Sequence, residues 1–158
     1  MNSPLVFLFA FAIGVVAGLR TFSAPAAMAW AAHLHWVNLA GTSLAFVHSR
    51  ITLVVFTILA LAEFVGDQLP VTPNRTKPGP LGARIISGAF CGTAVGLLGG
   101  HLVVIGAILG ALGAIVGAFG GYQTRTRSVK ALAVPDFMIA IPEDLLALAA
   151  GFLIFSRF

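Results

Sequence analysis

Long apolar runs separated by short polar breaks organise this chain throughout, and their lengths predict helices rather than strands. The runs place helices over about Pro4–Leu19, Ala24–Val37, Ile51–Gly66, Leu81–Leu98, Leu102–Tyr122 and Asp136–Phe155. Pro4 suits a first helical turn, and Asp136 reads as an N-cap. The breaks are Arg20-Thr21-Phe22-Ser23, the Pro-rich loop beginning at Pro70, and the Gly99-Gly100 turn. The segment Ala24–Val37 is too short for a perpendicular span of about 20 residues. It is expected to be a tilted or re-entrant helix inside the bundle, where irregular backbone is tolerated at bilayer depth. The expected architecture is a single all-α domain over residues 1–158, a polytopic transmembrane bundle of five to six helices.

Composition fixes the class. Hydrophobic residues make up 59% of the chain and charged residues 9%, with mean hydropathy +1.02. Soluble domains carry roughly 25% charged residues, so this chain could not cover a water-facing surface. Membrane lipids are therefore its expected surroundings. The formal net charge of +4 does not indicate nucleic acid, because the basic residues are scattered at span ends rather than massed on one stripe. The first run lacks a Lys or Arg ahead of Arg20 and reads as a retained span rather than a signal peptide. Cys91 is the single cysteine, so no intramolecular disulfide can form.

Lys and Arg then orient the spans. The first, third and fifth connections hold Arg20; Arg75, Lys77 and Arg84; and Arg125, Arg127 and Lys130. The remaining connections and the C-terminal end hold Arg50 and Arg157. This bias puts the odd connections in the cytoplasm and both termini outside.

Glycines recur every fourth residue at Gly88, Gly92, Gly96 and Gly100. Gly106 and Gly110 begin a similar row continued by Ala114 and Ala118, beside a second row of Gly113, Gly117 and Gly121. Gly14 and Gly18 repeat the spacing in the first helix. Residues four apart share a helix face, and a face without side chains admits a second backbone closely. Close internal packing, a homo-oligomer interface and a sliding surface all use such rows. Aligning Phe11–Leu19 with Ala89–Leu97 matches two glycines and a leucine, a weak sign of an inverted repeat of three helices each.

Four of the five acids fall in the apolar runs: Glu63, Asp67, Glu143 and Asp144. A carboxylate at bilayer depth costs about 2.5–3.5 kcal/mol, so such residues face protein or a wet cavity. All four, with Arg20, lie toward the cytoplasmic ends of their helices in the topology above. Glu63 and Asp67 are four apart and share a face; Glu143 and Asp144 point about 100° apart. Pro142 frees a carbonyl one turn earlier, which with a carboxylate makes a candidate cation or proton site. Arg20 is the expected partner of one acid. The substrate- or ion-binding candidates are thus Glu63, Asp67, Glu143, Asp144 and Arg20, and the bland alternative is a structural ion-pair network.

Other polar residues carry less. His33 and His35 lie on different helix faces near Trp30 and Trp36 and read as an interfacial anchor. No nucleophile–base pair, zinc spacing or phosphate loop is present, so neither an enzyme nor a cofactor is implied.

The strings GLRTFSAPAA (Gly18 to Ala27), AEFVGDQLPVTPNRT (Ala62 to Thr76), ARIISGAFCG and PDFMIAIPEDLLAL resemble an uncharacterised bacterial membrane family, domain of unknown function 4126. Gln68 stands where that pattern has a Lys after the Asp. The resemblance implies a bacterial polytopic inner-membrane protein and supplies no activity. The sequence leaves two expectations: a small transporter with a cytoplasm-facing cavity lined by carboxylates, or a non-transporting packing or assembly protein.

Overall fold

The computed structural model describes residues 2–66, 75–100, 103–133 and 135–158. Among them are six α-helices: α1 (Ser3–Leu19), α2 (Ser23–His33), α3 (Arg50–Gly66), α4 (Pro78–Leu98), α5 (Val103–Leu132) and α6 (Asp136–Phe155). A 3-10 turn at Ala45–His48 precedes α3. Three helices, α4, α5 and α6, are long and apolar enough to cross a membrane, and α1 is a shorter apolar helix. Large apolar side chains such as Ile51, Ile58, Ile86, Val104 and Leu146 face outward, as lipid contact requires. The chain is an all-helical membrane protein.

The bundle is built around α5. One face of α5 meets α1 running parallel, with Gly14 against Gly110 and Gly18 against Ala114 and Gly117. Another meets α4 running antiparallel, with Gly88 against Gly110 and Gly92 against Gly106. At these positions an added Cβ would strike a backbone carbonyl rather than a side chain that could swing away. At Gly14, Gly18, Gly88 and Gly92 the rows are therefore filled by helices of the same chain.

α2 is buried along nearly its whole length, between α3 and α6. Its Trp30 Nε1 donates to Thr57 Oγ1 at 3.1 Å, tying it to antiparallel α3. α6 runs antiparallel to α1, and the Phe158 ring meets Phe9 edge-on with centroids 6.0 Å apart. The C-terminal ends of α1, α3 and α5 thus gather at one end of the bundle with the N-terminal ends of α2, α4 and α6. Both chain termini lie at the other end.

Several boundaries differ from expectation for identifiable reasons. α5 continues past Tyr122 to Leu132, because Gln123–Leu132 loses hydropathy but contains no Gly or Pro to stop a helix. α4 begins at Pro78, which fills a first-turn position where no donor is needed. Pro135 occupies the N-cap of α6, and Asp136 is its first helical residue, without a side-chain cap bond. α2 stops at His33 rather than Val37, because His35 turns left-handed at φ 60°. There His35 N bonds Ala32 O at 3.2 Å and Trp36 N bonds Ala31 O at 2.9 Å, a Schellman ending with histidine where glycine is usual.

The packing does not follow an inverted repeat. Exchanging α1–α3 with α4–α6 would require α2 to cover α4 as broadly as α5 covers α1, and α2 touches α4 only slightly.

Two substitutions test this architecture by thermal unfolding in detergent. His35→Gly relieves a left-handed backbone that costs a side-chain-bearing residue about 1–2 kcal/mol, so it is expected to raise stability by about 1 kcal/mol. Gly92→Leu is expected to lower it by about 3 kcal/mol or more, because the obstructing atoms are backbone. A Gly92→Leu protein that melts like the wild type would mean that α4 and α5 do not meet there.

Candidate functional site

The junction between α1 and α2 is where the chain departs from simple helix. α1 ends as Arg20 turns extended, at φ −141° and ψ 117°, and α2 restarts at Ser23. Pro25 lacks the N–H that would have reached back to the Thr21 carbonyl, which disfavours a continuous helix through this point. The break leaves carbonyls at the end of α1 and amides before α2 without intrahelical partners.

Neighbouring helices supply them. Glu63 on α3 accepts from Thr21 N at 2.7 Å and from Phe22 N at 2.8 Å, one carboxylate oxygen for each. Arg84 on α4 donates its Nε to the Gly18 carbonyl at 3.0 Å, and Ser87 Oγ donates to the freed Thr21 carbonyl at 2.5 Å. An anion before a helix start and a cation beyond a helix end both oppose the local dipole. Arg84 Nη2 and Glu63 Oε1 then meet at 3.5 Å.

Arg20 itself is fully buried and pairs with Asp144 on α6, its Nε donating to Oδ1 at 2.5 Å. The guanidinium also lies over the Phe64 ring, 5.6 Å from its centroid. Glu143 turns another way, as the helical offset from Asp144 requires. It accepts from both Arg75 terminal nitrogens, at 2.6 and 3.2 Å, and lies 3.8 Å from Arg125 Nη1. Arg125 Nε donates to Asp136 at 2.9 Å.

Arg20, Glu63, Glu143 and Asp144 are therefore gathered at one end of the bundle, as a single chain of contacts from α3 through the α1–α2 break to α6. Asp67 lies outside the described residues. A crevice of about 330 Å³ opens between α5 and α6, lined by Leu19, Gly121, Thr124, Arg125, Ile139, Pro142, Glu143 and Leu146. Its walls are mostly apolar, and of the described candidate acids only Glu143 reaches it. That differs from a polar cavity lined by several carboxylates, because the other described acids are turned onto arginines and backbone amides.

Sequence reasoning missed Arg75, Arg84 and Arg125 as partners, having used them only to orient the spans. A signal was present: four acids and seven cations assigned to one side of a membrane imply pairing. Ser87 gave no comparable signal, since its acceptor exists only because Pro25 frees it.

A family model described as Domain of unknown function (DUF4126) matches residues 7–156. The chain belongs to that family. No curated protein and no solved structure matches it.

The buried pair predicts a specific pattern of stabilities. Arg20→Met alone leaves Asp144 unpaired and is expected to cost about 3–5 kcal/mol, whereas the double variant Arg20→Met, Asp144→Leu should recover most of the loss. Denaturant unfolding of the three proteins measures this, and a wild-type-like single variant would show that the pair is not formed.

Proposed function

We propose that this integral membrane protein is a small transporter or channel-like conduit, and that its arginine–carboxylate cluster is a gate in the closed state. One observation carries the reading: the ion pairs join different helices at the α1–α2 break and beside the proline inside α6. Glu63 and Arg84 close on the α1–α2 break, and Asp144 and Glu143 follow Pro142 inside α6. Breaks and prolines are where helices bend. Buried ion pairs are an inefficient way to stabilise a fold, since apolar residues of similar volume often do as well. Ionisable groups within spans are by default functional.

In this reading the odd connections lie in the cytoplasm and both termini outside, following the basic residues. The membrane is the bacterial inner membrane. Opening separates α6 and α3 from the break and exposes Glu63, Asp144 and the break's amides to solute.

A second reading has its own support. Each described candidate acid is matched by an arginine, which suits a permanent latch in a packing or assembly protein.

Proteoliposomes separate the two. Light scattering after osmotic shifts reports entry of small carboxylates, amino acids and polyols, and a pH-sensitive dye reports protons. Wild-type protein is expected to carry at least one of these above protein-free vesicles. Glu63→Gln removes a carboxylate that opening presents to solute and should lower that flux by about tenfold or more while the protein stays folded. Loss of thermal stability in Glu63→Gln, with no flux from the wild type for any solute, would leave the latch reading standing.

A further inference from the structure

α5 is longer than a bilayer needs. Its 30 residues span about 45 Å at 1.5 Å each, against a hydrocarbon core of about 30 Å. Its polar third, Gln123–Leu132, has the composition suited to the headgroup layer, and it carries Arg125, Arg127 and Lys130. The crevice between α5 and α6 ends at the start of this projection, where Thr124 and Arg125 form its wall.

The charges at that mouth do not balance. Arg75 and Arg125 are matched by Glu143 and Asp136. Arg127 and Lys130 are exposed, and among the described residues neither has an ion-pair partner. Arg127 lies one turn beyond Thr124, about 60° round α5 from it, and Lys130 one turn further and about 60° further round, within reach of the headgroup layer only through its long side chain. Deeper in, the crevice is mostly apolar, with Leu19 and Gly121 on one side and Ile139, Pro142 and Leu146 on the other; the one carboxylate there, Glu143, is turned onto Arg75. Leu146 is also largely exposed, so the crevice opens sideways onto the lipid-facing surface.

We infer that this crevice holds one acyl chain of an anionic phospholipid, with the lipid phosphate against Arg127 and Lys130. The volume of about 330 Å³ lies at the small end of ligand sites, which suits a single chain rather than a whole lipid. An apolar slot with surplus cations at the headgroup level distinguishes an anionic lipid from a zwitterionic one. Basic residues near a membrane surface draw anionic lipid in this way. The site holds its lipid whether or not the protein moves a solute.

Native mass spectrometry of the delipidated protein in detergent tests this, with equimolar phosphatidylglycerol and phosphatidylcholine of identical chains. Wild-type protein is expected to retain phosphatidylglycerol about tenfold over phosphatidylcholine. The double variant Arg127→Gln, Lys130→Gln should erase that preference without changing the melting temperature. Thr124→Trp, which fills the crevice from an exposed position, should lower retention of both lipids. Should that variant fail to fold, Leu146→Trp fills the same space from α6. Equal retention of the two lipids by wild-type protein, or an unchanged preference in the double variant, overturns the proposal. Unchanged retention in a folded crevice-filling variant places the lipid elsewhere and overturns it as well.

Discussion

Two helix ends meet at the α1–α2 break, and the Glu63 carboxylate with the Arg84 guanidinium makes that meeting tolerable in an apolar surrounding. Unsatisfied backbone groups in a bilayer cost several kcal/mol each, with no water to relieve them. Glu63 takes the amides of Thr21 and Phe22, Arg84 takes the Gly18 carbonyl, and Ser87 takes that of Thr21. Withdrawing any of these would strand backbone polar groups among α1, α3 and α4. The placement of α2 follows from this arrangement. The chain can reverse within three residues only because neighbouring helices complete its bonding.

The two halves of the bundle are held by different physics. α1, α4 and α5 approach until backbones touch, so their mutual distances are set by repulsion between main-chain atoms. α2, α3 and α6 join that trio through an apolar core of ordinary side chains and through polar contacts at one end, Arg20 to Asp144 and Glu63 to the break. Dispersion contacts between backbones have one sharp optimum. Ion pairs can exchange partners, and here several donors lie within reach of neighbouring acids, as Arg125 does of both Asp136 and Glu143. Any change of shape is therefore expected to run between these groups rather than within the first.

Much of this was legible in the chain and some was not. The helices follow from apolar runs, and Arg20 could be matched to an acid because both lay at the same depth. Glu143 and Asp144 were separable from helical geometry alone. Arg84 was not identifiable, since a cation in the first turns of a span looks like a topology marker; its acceptor exists only where α1 breaks. The length of α5 was missed because hydropathy falls after Tyr122 while helix propensity does not. The glycine rows were visible, but which helix each row faces depends on tertiary order.

The backbone contacts along α5 also have a genetic consequence. Every single-base change that replaces glycine with another residue adds at least a methyl group. At Gly14, Gly18, Gly88, Gly92, Gly106, Gly110, Gly113 and Gly117 that methyl would meet a carbonyl of another helix. These sites have no conservative neighbour in the genetic code, and drift through them requires compensating shifts of whole helices. At the polar end of the bundle, by contrast, aspartate and glutamate or arginine and lysine can trade places by one base with the charge kept.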